Sequence, residues 1–307
     1  MYYLVDKPIM YFYNKEDIIQ KKHENGDRQM QKKIAAVHDI SGFGRCSLTT
    51  AIAVLSAAGH QCCPVPSAVL SAHTAYPGIT FRDLTDDLPA YVQSFASLGL
   101  KFDAVYSGYL SSARQIEQVR FLMEHCAAQP CIKLVDPVMG DNGVPYRVVN
   151  QPGFAEAMRE LCTHADLITP NTTECAMLLG QAPSDRPESR EEVCAAMERL
   201  ALLGAREIVV TGLHEGERVG AACFSAETGE TAFTFCEEVP AHFPGTGDLF
   251  ASVLLAHRLN GAPPADSCVA AAEFVRDCAA HTAKQGGDPR DGVLFEQLLF
   301  KLMIKNN

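Results

Sequence analysis

Short runs of apolar and β-branched residues alternate with longer amphipathic segments from Lys33 onward. Eight of these runs have the length and composition of strands: KIAAVHDI, CCPVPSAVLS, FDAVYSGYL, CIKLVDPVM, ADLITPN, EIVVTGL, VGAACFSA and TAFTFCEEV. The segments of helical length lie at 46–58, 83–99, 112–127, 151–163, 187–204, 246–260, 265–284 and 292–304. Strands that alternate with helices predict an α/β fold with a mainly parallel sheet covered on both faces. Only ETGE separates the last two runs, which predicts an antiparallel hairpin added to that sheet.

The first 31 residues do not share this pattern. Residues 1–31 begin with an aromatic-rich part, continue with a charged part and show no clean period. We therefore expect a weakly ordered N-terminal extension at 1–31 and a single domain over 32–307, where no internal repeat or Pro/Gly-rich linker occurs. A further hypothesis is that Met30 is the natural start of the protein.

Composition narrows the classes of function. The formal net charge of −11 argues against binding to nucleic acid or to an anionic membrane surface. The sequence has no run of 18 apolar residues, so no membrane span is expected. Its 12 cysteines include no C-x-x-C pair, and the Cys and His residues lack zinc-ligand spacing. Because no secretory signal is apparent, we expect reduced thiols and a cytoplasmic protein.

Polar residues follow six of the predicted strands. In open parallel sheets, ligands bind beyond the carboxyl ends of the strands, so these residues are expected to share one ligand site. Core packing alone explains six such strand ends poorly. The residues concerned are Asp39, Ser41, Ser71–Thr74, Tyr109, Asp136, Asn171 and Thr211.

The segment FPGTGDLFASVLLA, residues 243–256, is the most specific of these patterns. Gly245 and Gly247 let the backbone come close to a ligand, and the N–H groups at the start of a helix attract an anion. Asp248 stands in the same turn. One interpretation is that an acidic residue there suits the helix dipole. The other is that Asp248 acts as a general base beside a bound phosphate.

Two glycine-containing segments also have both a structural and a functional interpretation. DISGFGRCS, residues 39–47, is either a capped strand-to-helix turn or part of a small-molecule pocket to which Ser41 offers its hydroxyl. Its glycines match only part of the dinucleotide-binding pattern, so an NAD-dependent oxidoreductase is a weak alternative. In LVDPVMGDNGVPY, residues 134–146, Asp136 either caps the loop or faces a metal-bound phosphate beneath a small lid.

The segment DLITPNTTECAMLLG, residues 166–180, ends a strand and opens a helix. Glu174 follows Asn171 at capping-box spacing, which explains it structurally. A carboxylate in that first turn is equally suited to hold Mg²⁺ through water, since Mg²⁺ keeps much of its hydration shell. The sequence lacks the G-x-x-x-x-G-K-[ST], H-R-D and D-F-G patterns, which excludes P-loop NTPases and protein kinases.

Three of these motifs, in this order, resemble those of the ribokinase-like superfamily of small-molecule kinases: DPVMGD at 136–141, TPNTTE at 169–174 and GTGD at 245–248. The resemblance covers roughly residues 33–300. It implies a three-layer α/β/α fold around a mainly parallel central sheet.

Within that superfamily the chain looks most like the vitamin B6 kinases. The segments that carry this likeness are DISGFGRCS at 39–47, PSAVLSAHTAYPG at 66–78 and YSGYL at 106–110. Ala72 departs from the family, which often has Asn there. Hydroxymethylpyrimidine kinases share the fold and a GTGD-like motif, so they are an alternative, as is a non-catalytic binding protein of the same fold.

The resemblance implies ATP-dependent phosphorylation of the 5′-hydroxymethyl group of a B6 vitamer, with Mg²⁺ held through water by Asp136 and Glu174. A monovalent cation such as K⁺ and a homodimer are also implied. The implied catalytic residues are Gly245, Thr246, Gly247 and Asp248, with Asp248 as the base. The implied ATP-binding residues are Asp136, Asp141, Tyr146, Asn171, Glu174 and Thr211. The implied vitamer-binding residues are Ser41, Thr74, Tyr109 and His73, although His73 is equally explained as a packed histidine at a strand end.

Overall fold

The computed structural model describes residues 31–303, so the expected N-terminal extension and Met30 lie, apart from Gln31, outside the described residues. The strands are β1 (Lys33–Ser41), β2 (Gln61–Leu70), β3 (Phe81–Asp83), β4 (Phe102–Ser107), β5 (Ala127–Val135), β6 (Gly140–Asp141), β7 (Val144–Pro145), β8 (Leu167–Ile168), β9 (Glu207–Glu215), β10 (Arg218–Ser225) and β11 (Thr231–Glu237). The α-helices are α1 (Ser47–Ala57), α2 (Leu88–Ser97), α3 (Ala113–His125), α4 (Phe154–Thr163), α5 (Thr172–Leu178), α6 (Arg190–Ala201), α7 (Thr246–Leu259) and α8 (Pro264–Gln285).

Nine strands form one sheet in the order β11–β10–β9–β8–β5–β4–β1–β2–β3. The six strands from β9 to β2 are parallel, which places their carboxyl ends at one edge. The hairpin β10–β11 extends the sheet antiparallel to β9, and β3 pairs antiparallel with β2 at the other edge. The mainly parallel sheet with an added antiparallel hairpin is therefore confirmed.

Helices cover both faces of the sheet because successive strand residues point to opposite sides. Ala35 and Val37 of β1 pack into a core with helices α2 to α6, while Ile34 packs into a second core with α1, α7 and α8. This is the expected three-layer α/β/α arrangement. Among residues 31–303, no helix has both the length and the apolar character that crossing a membrane requires.

The chain departs from the predicted elements in three places. The helix expected over 83–99 begins only at Leu88, because residues 81–83 pair with β2 as strand β3. The loop after β5 contains the small antiparallel pair β6–β7. The helix expected over 292–304 is a 3₁₀-helix at Glu296–Leu302, preceded by Val293 and Phe295, which are both buried in the core at a spacing of two residues. Side chains two residues apart do not share one face of an α-helix, so this packing excludes a helix start at 292.

Candidate active site

A cavity of about 1070 Å³ lies beyond the carboxyl ends of β4, β5, β8 and β9. Most of the predicted site residues line it. They are Tyr109, Asp136, Asp141, Tyr146, Asn171, Glu174, Thr211, Gly245, Thr246, Gly247 and Asp248. The parallel strands thus bring together residues that are more than a hundred positions apart in the chain.

The start of helix α7 lies against the start of α1. Gly245, the N-cap of α7, has φ +81°, and a Cβ there would lie 2.0 Å from the backbone oxygen of Arg45. Only glycine permits this approach. It brings the backbone N–H of Ser47 to 2.8 Å from Oδ2 of Asp248. Ser47 itself has φ +49°, an uncommon conformation for a residue other than glycine, and such backbone strain is concentrated at functional sites.

Asp248 is a mostly buried carboxylate, with its side chain 15% exposed. Burial raises its pKa to about 8, and the charges of Asp136 and Asp39 act in the same direction, whereas the hydrogen bond from Ser47 opposes them. A carboxylate whose pKa lies near the working pH is well suited to accept a proton and release it again. The position at the helix start also offers free backbone N–H groups to an anion.

Two further carboxylates at the site, Asp136 and Glu174, are also buried. Burial raises the pKa of Asp136 to about 7, and burial together with the charge of Asp136 raises the pKa of Glu174 well above its usual range. Glu174 closes a capping box with Asn171: its carboxylate accepts from the Asn171 N–H at 2.8 Å, and the Asn171 side chain accepts from the Glu174 N–H at 3.0 Å. Thr169, just after β8, donates to Asp136 at 3.0 Å, so residues that follow β8 hold both carboxylates.

The β6–β7 pair is anchored to the same strand ends. The Asn171 side chain donates to the backbone oxygen of Gly140 at 2.8 Å, and the Gly143 N–H donates to the Thr173 hydroxyl at 2.8 Å. Asp141 accepts from the N–H and the side chain of Asn142 at the tip of the turn. These bonds hold both the start and the turn of the β6–β7 pair, and Asp141 and Asn142 line the cavity.

Two predicted residues flank this loop on either side. Tyr146, just after β7, lines the cavity with its side chain 43% exposed. Thr211, in β9, is bridged to Asn171, and its N–H donates to the backbone oxygen of Pro170 at 3.0 Å. Both residues line the cavity, and their place on its nucleotide side stays a prediction.

The predicted vitamer-binding residues are less uniform. Tyr109 lines the cavity, whereas Ser41, His73 and Thr74 do not form part of its wall. Ser41 is buried and donates to Asp39 at 3.3 Å, and Thr74 is exposed in a turn. His73 accepts from the N–H of Ala75 at Nδ1, so its Nε2–H donates to the backbone oxygen of Arg290 at 2.5 Å. With both ring nitrogens engaged, His73 ties the turn after β2 to the segment around Arg290.

The comparisons with known proteins bear on this arrangement. The model of the phosphomethylpyrimidine kinase family matches residues 87–290, about two thirds of the chain. The chain belongs to this kinase family.

Several similar proteins are named pyridoxal kinases. A pyridoxal kinase of Pseudomonas syringae pv. tomato is 31% identical over 247 residues, which are 76% of this chain and 81% of the relative. A Bacteroides thetaiotaomicron structure, described as a phosphomethylpyrimidine kinase and crystallised with pyridoxal, is 37% identical with a TM-score of 0.83, over 90% of this chain and 97% of that one. The pyridoxal kinase of Lactobacillus plantarum is 29% identical with a TM-score of 0.80, over 88% and 96%. The expected superfamily, its vitamin B6 kinases and the kinase activity are thereby confirmed.

The structure of this kinase also gives roles to three residues for which the sequence predicted no specific role. Ser47 contributes through its backbone N–H and its unusual φ, Thr169 holds Asp136, and Asp39 is a buried carboxylate whose charge acts on Asp248. No local pattern marks them, because each acts on a residue of another element. Asp39 was recognisable only as one of several polar strand-end residues.

The donor set of the kinase fits a hydrated divalent cation. Among residues 31–303, no group of three or more His, Cys, Asp and Glu side chains is arranged to bind a metal ion directly. Asp136 and Glu174 are nevertheless two buried carboxylates whose pKa values are both raised, that of Asp136 by burial and that of Glu174 by burial and by the charge of Asp136. A nearby dication would favour the ionised form of both, and Mg²⁺ is commonly held by one or two carboxylates together with water and phosphate oxygens.

Proposed function

We propose that this kinase transfers the γ-phosphoryl group of ATP to the 5′-hydroxymethyl group of a vitamin B6 vitamer. The observation that carries the proposal is Asp248, a mostly buried carboxylate at the start of α7 that lines the same cavity as Tyr109, Asp136 and Glu174. The choice of vitamer class is supported by the relatives named pyridoxal kinase and by the related structure that was crystallised with pyridoxal.

In this mechanism Asp248 accepts the proton of the substrate hydroxyl as its oxygen attacks the γ-phosphorus. The Ser47 N–H holds Oδ2, which leaves a lone pair of Oδ1 for the hydroxyl. The backbone N–H groups of Gly245, Thr246 and Gly247 stabilise the charge that develops on the transferring group, because a helix start presents unpaired donors and the positive end of its dipole. General-base catalysis of this kind contributes about 10²–10⁴-fold in rate.

Mg²⁺ is the proposed metal cofactor, with Asp136 and Glu174 holding it through water. When bound it would offset the negative charge of the triphosphate, which a site with this many carboxylates would otherwise repel. K⁺ or another monovalent cation stays a prediction. Asp141, Tyr146, Asn171 and Thr211 are proposed to line the nucleotide side, and Tyr109 and Ser41 the side of the pyridine ring, with His73 and Thr74 beside them.

A substrate panel tests the proposal. The purified full chain is incubated with Mg-ATP and, separately, pyridoxal, pyridoxine, pyridoxamine and hydroxymethylpyrimidine, and ADP release and the phosphorylated product are measured. At least one B6 vitamer is expected to give a 5′-phosphate at a higher kcat/KM than hydroxymethylpyrimidine. Turnover of hydroxymethylpyrimidine alone would replace the proposal by the thiamine-pathway alternative, which the name of the matching family favours. If none of the four compounds leads to ADP release, both the proposal and the hydroxymethylpyrimidine alternative are contradicted.

A non-catalytic binding protein of the same fold predicts vitamer or nucleotide binding without ADP release. The intact GTGD segment with a buried carboxylate argues against it, since binding alone does not need a base at the anion site. The homodimer and the cytoplasmic location also stay predictions. Light scattering after size-exclusion chromatography checks the first, and fractionation of cells that make the protein natively checks the second.

A further inference from the structure

His38 is a buried imidazole directly behind the proposed base. It lies in β1 with no exposed surface, and among the described residues neither of its ring nitrogens has a hydrogen-bond partner. Buried polar groups are normally paired, so an unpaired one calls for an explanation. Burial lowers the pKa of His38 to about 3, so the ring is neutral at physiological pH and carries a single N–H.

The ring is closely confined. The Tyr106 ring packs edge-on against it, with 4.3 Å between the ring centroids. A Cβ at Gly108 would lie 2.2 Å from Nδ1, so glycine is required at that position for the imidazole to fit. In this confined position Nδ1 lies 3.8 Å from Oδ1 of Asp248.

Oδ1 is also the oxygen of Asp248 that the Ser47 N–H does not hold. A shift of about 1 Å would bring Nδ1 and Oδ1 to hydrogen-bond distance. We propose that His38 is a positioning residue that donates a hydrogen bond from Nδ1–H to Oδ1 of Asp248 and, together with the Ser47 N–H, orients the carboxylate toward the substrate hydroxyl. The inference rests on the proposed function, because it assigns His38 a role in that reaction.

The other groups around Asp248 make this donor important. Asp39 and Asp136 raise the pKa of Asp248 through their charges. The charge of Asp248 in turn helps to raise the pKa values of Cys46, Tyr106 and Tyr146. Within residues 31–303, the interactions that shift the pKa of Asp248 include no cationic side chain. With Nδ1 3.8 Å from Oδ1, His38 is a polar group that a small shift would place to favour the ionised form alongside the Ser47 N–H, and removing its N–H should then make Asp248 harder to ionise.

Two substitutions separate this role from simple packing. His38→Asn keeps an N–H donor close to the position of Nδ1, and His38→Leu keeps bulk but removes the donor. We expect His38→Leu to lower kcat about tenfold or more and to move the acidic limb of the kcat–pH profile to higher pH, with the KM for ATP little changed. His38→Asn should recover most of both losses. A folded His38→Leu enzyme with the wild-type pH profile would overturn the proposal, as would a folded His38→Asn enzyme that is no better than His38→Leu.

A spectroscopic test needs no variant. In the wild-type full chain, ¹⁵N NMR of the histidine rings, with His38 assigned through its contact with the Tyr106 ring, should show Nδ1 protonated and Nε2 bare at pH 7. The opposite tautomer would overturn the proposal even if the variants do not fold. If the wild-type enzyme phosphorylates no vitamer, the proposed function fails first. If it does and the tautomer or the profile is wrong, only the role of His38 fails.

Discussion

The proposed phosphate side and the proposed ring side of the site are built in different ways. On the phosphate side, two carboxylates are placed by local helix starts: Glu174 by the capping box with Asn171, and Asp248 by its position in the first turn of α7, where the N–H of the distant Ser47 adds one bond. On the ring side, the supporting bonds join distant residues. His73 bonds to Arg290, the Tyr76 hydroxyl bonds to Asp291, and Arg45 pairs with Glu296.

This difference predicts different effects of substitutions on the two sides. A substitution on the phosphate side should change the chemistry while the fold stays intact, because local caps remain. The ring side depends on the segment that joins α8 to the 3₁₀-helix at Glu296–Leu302. This segment bonds to the loops after β1 and β2. Disturbing that segment should loosen vitamer binding and leave the nucleotide side untouched.

The largest expected effect is on the phosphate side, at Asp248. Asp248→Asn should lower kcat by about 10²–10⁴-fold while Mg-ATP binding persists, because only the proton acceptor is lost. Steady-state kinetics and nucleotide binding by calorimetry measure the two quantities. Near-normal turnover of this variant would remove Asp248 from the mechanism.

The same substitution should stabilise the protein in a pH-dependent way. The pKa of Asp248 is raised to about 8 in the folded state, so the folded protein binds this proton more tightly than the unfolded chain does. Stability from this group is therefore greatest below its ordinary pKa and is lost as pH rises toward 8. Relative to wild type, Asp248→Asn should gain several degrees in Tm at pH 9 and much less at pH 5. Equal gains at the two pH values would contradict the raised pKa.

The pH dependence of the wild-type reaction is the next largest effect. Because Asp248 must be ionised to accept a proton, kcat/KM should rise with pH and level off above about 8, falling roughly tenfold per pH unit on the acidic side. A profile measured from pH 5.5 to 10, with the free Mg²⁺ concentration held constant, checks this. An acidic limb centred near 4 would mean that burial does not raise the pKa of the essential base.

A smaller effect is expected at Glu174. Glu174→Gln keeps a side chain that can close the capping box but removes the charge, so the fold should persist while the Mg²⁺ concentration for half-maximal rate rises about 10–100-fold. Glu192→Gln is a matched control, since Glu192 closes a similar capping box with Ser189 at the start of α6. An unchanged Mg²⁺ requirement in Glu174→Gln would argue against a metal role.

The smallest effect concerns the ring side. Tyr76→Phe removes the hydroxyl that bonds to Asp291, and one such bond contributes about 1 kcal/mol, so the KM for the vitamer should rise about fivefold with the KM for ATP unchanged. Tyr91→Phe is the control, because the Tyr91 hydroxyl bonds to the backbone oxygen of Pro64 in a different part of the fold. Equal changes in both KM values would show that the two sides are not independent.

The sequence alone was enough to predict the parallel sheet, its added hairpin, the helix start at Thr246 and the capping-box spacing of Asn171 and Glu174. Each of these features depends on residues close together in the chain: a hydrophobic period, a helix cap or a pair of glycines. The polar residues that follow β4, β5 and β8, together with Thr211 in β9, line one cavity, because parallel strands share one carboxyl edge, whereas those at the ends of β1 and β2 do not form part of its wall.

Only the tertiary structure decided which residues act on Asp248. Ser47 stands 201 positions from it, and its N–H reaches the carboxylate because the starts of α1 and α7 meet at Gly245. The same holds for His38 behind the carboxylate and for His73 against Arg290. Strand β3 and the 3₁₀-helix at Glu296–Leu302 were likewise not predicted. The physical reason is common to all of them: distances between elements are set by how the side chains of the whole core pack, and a local pattern carries no record of that packing.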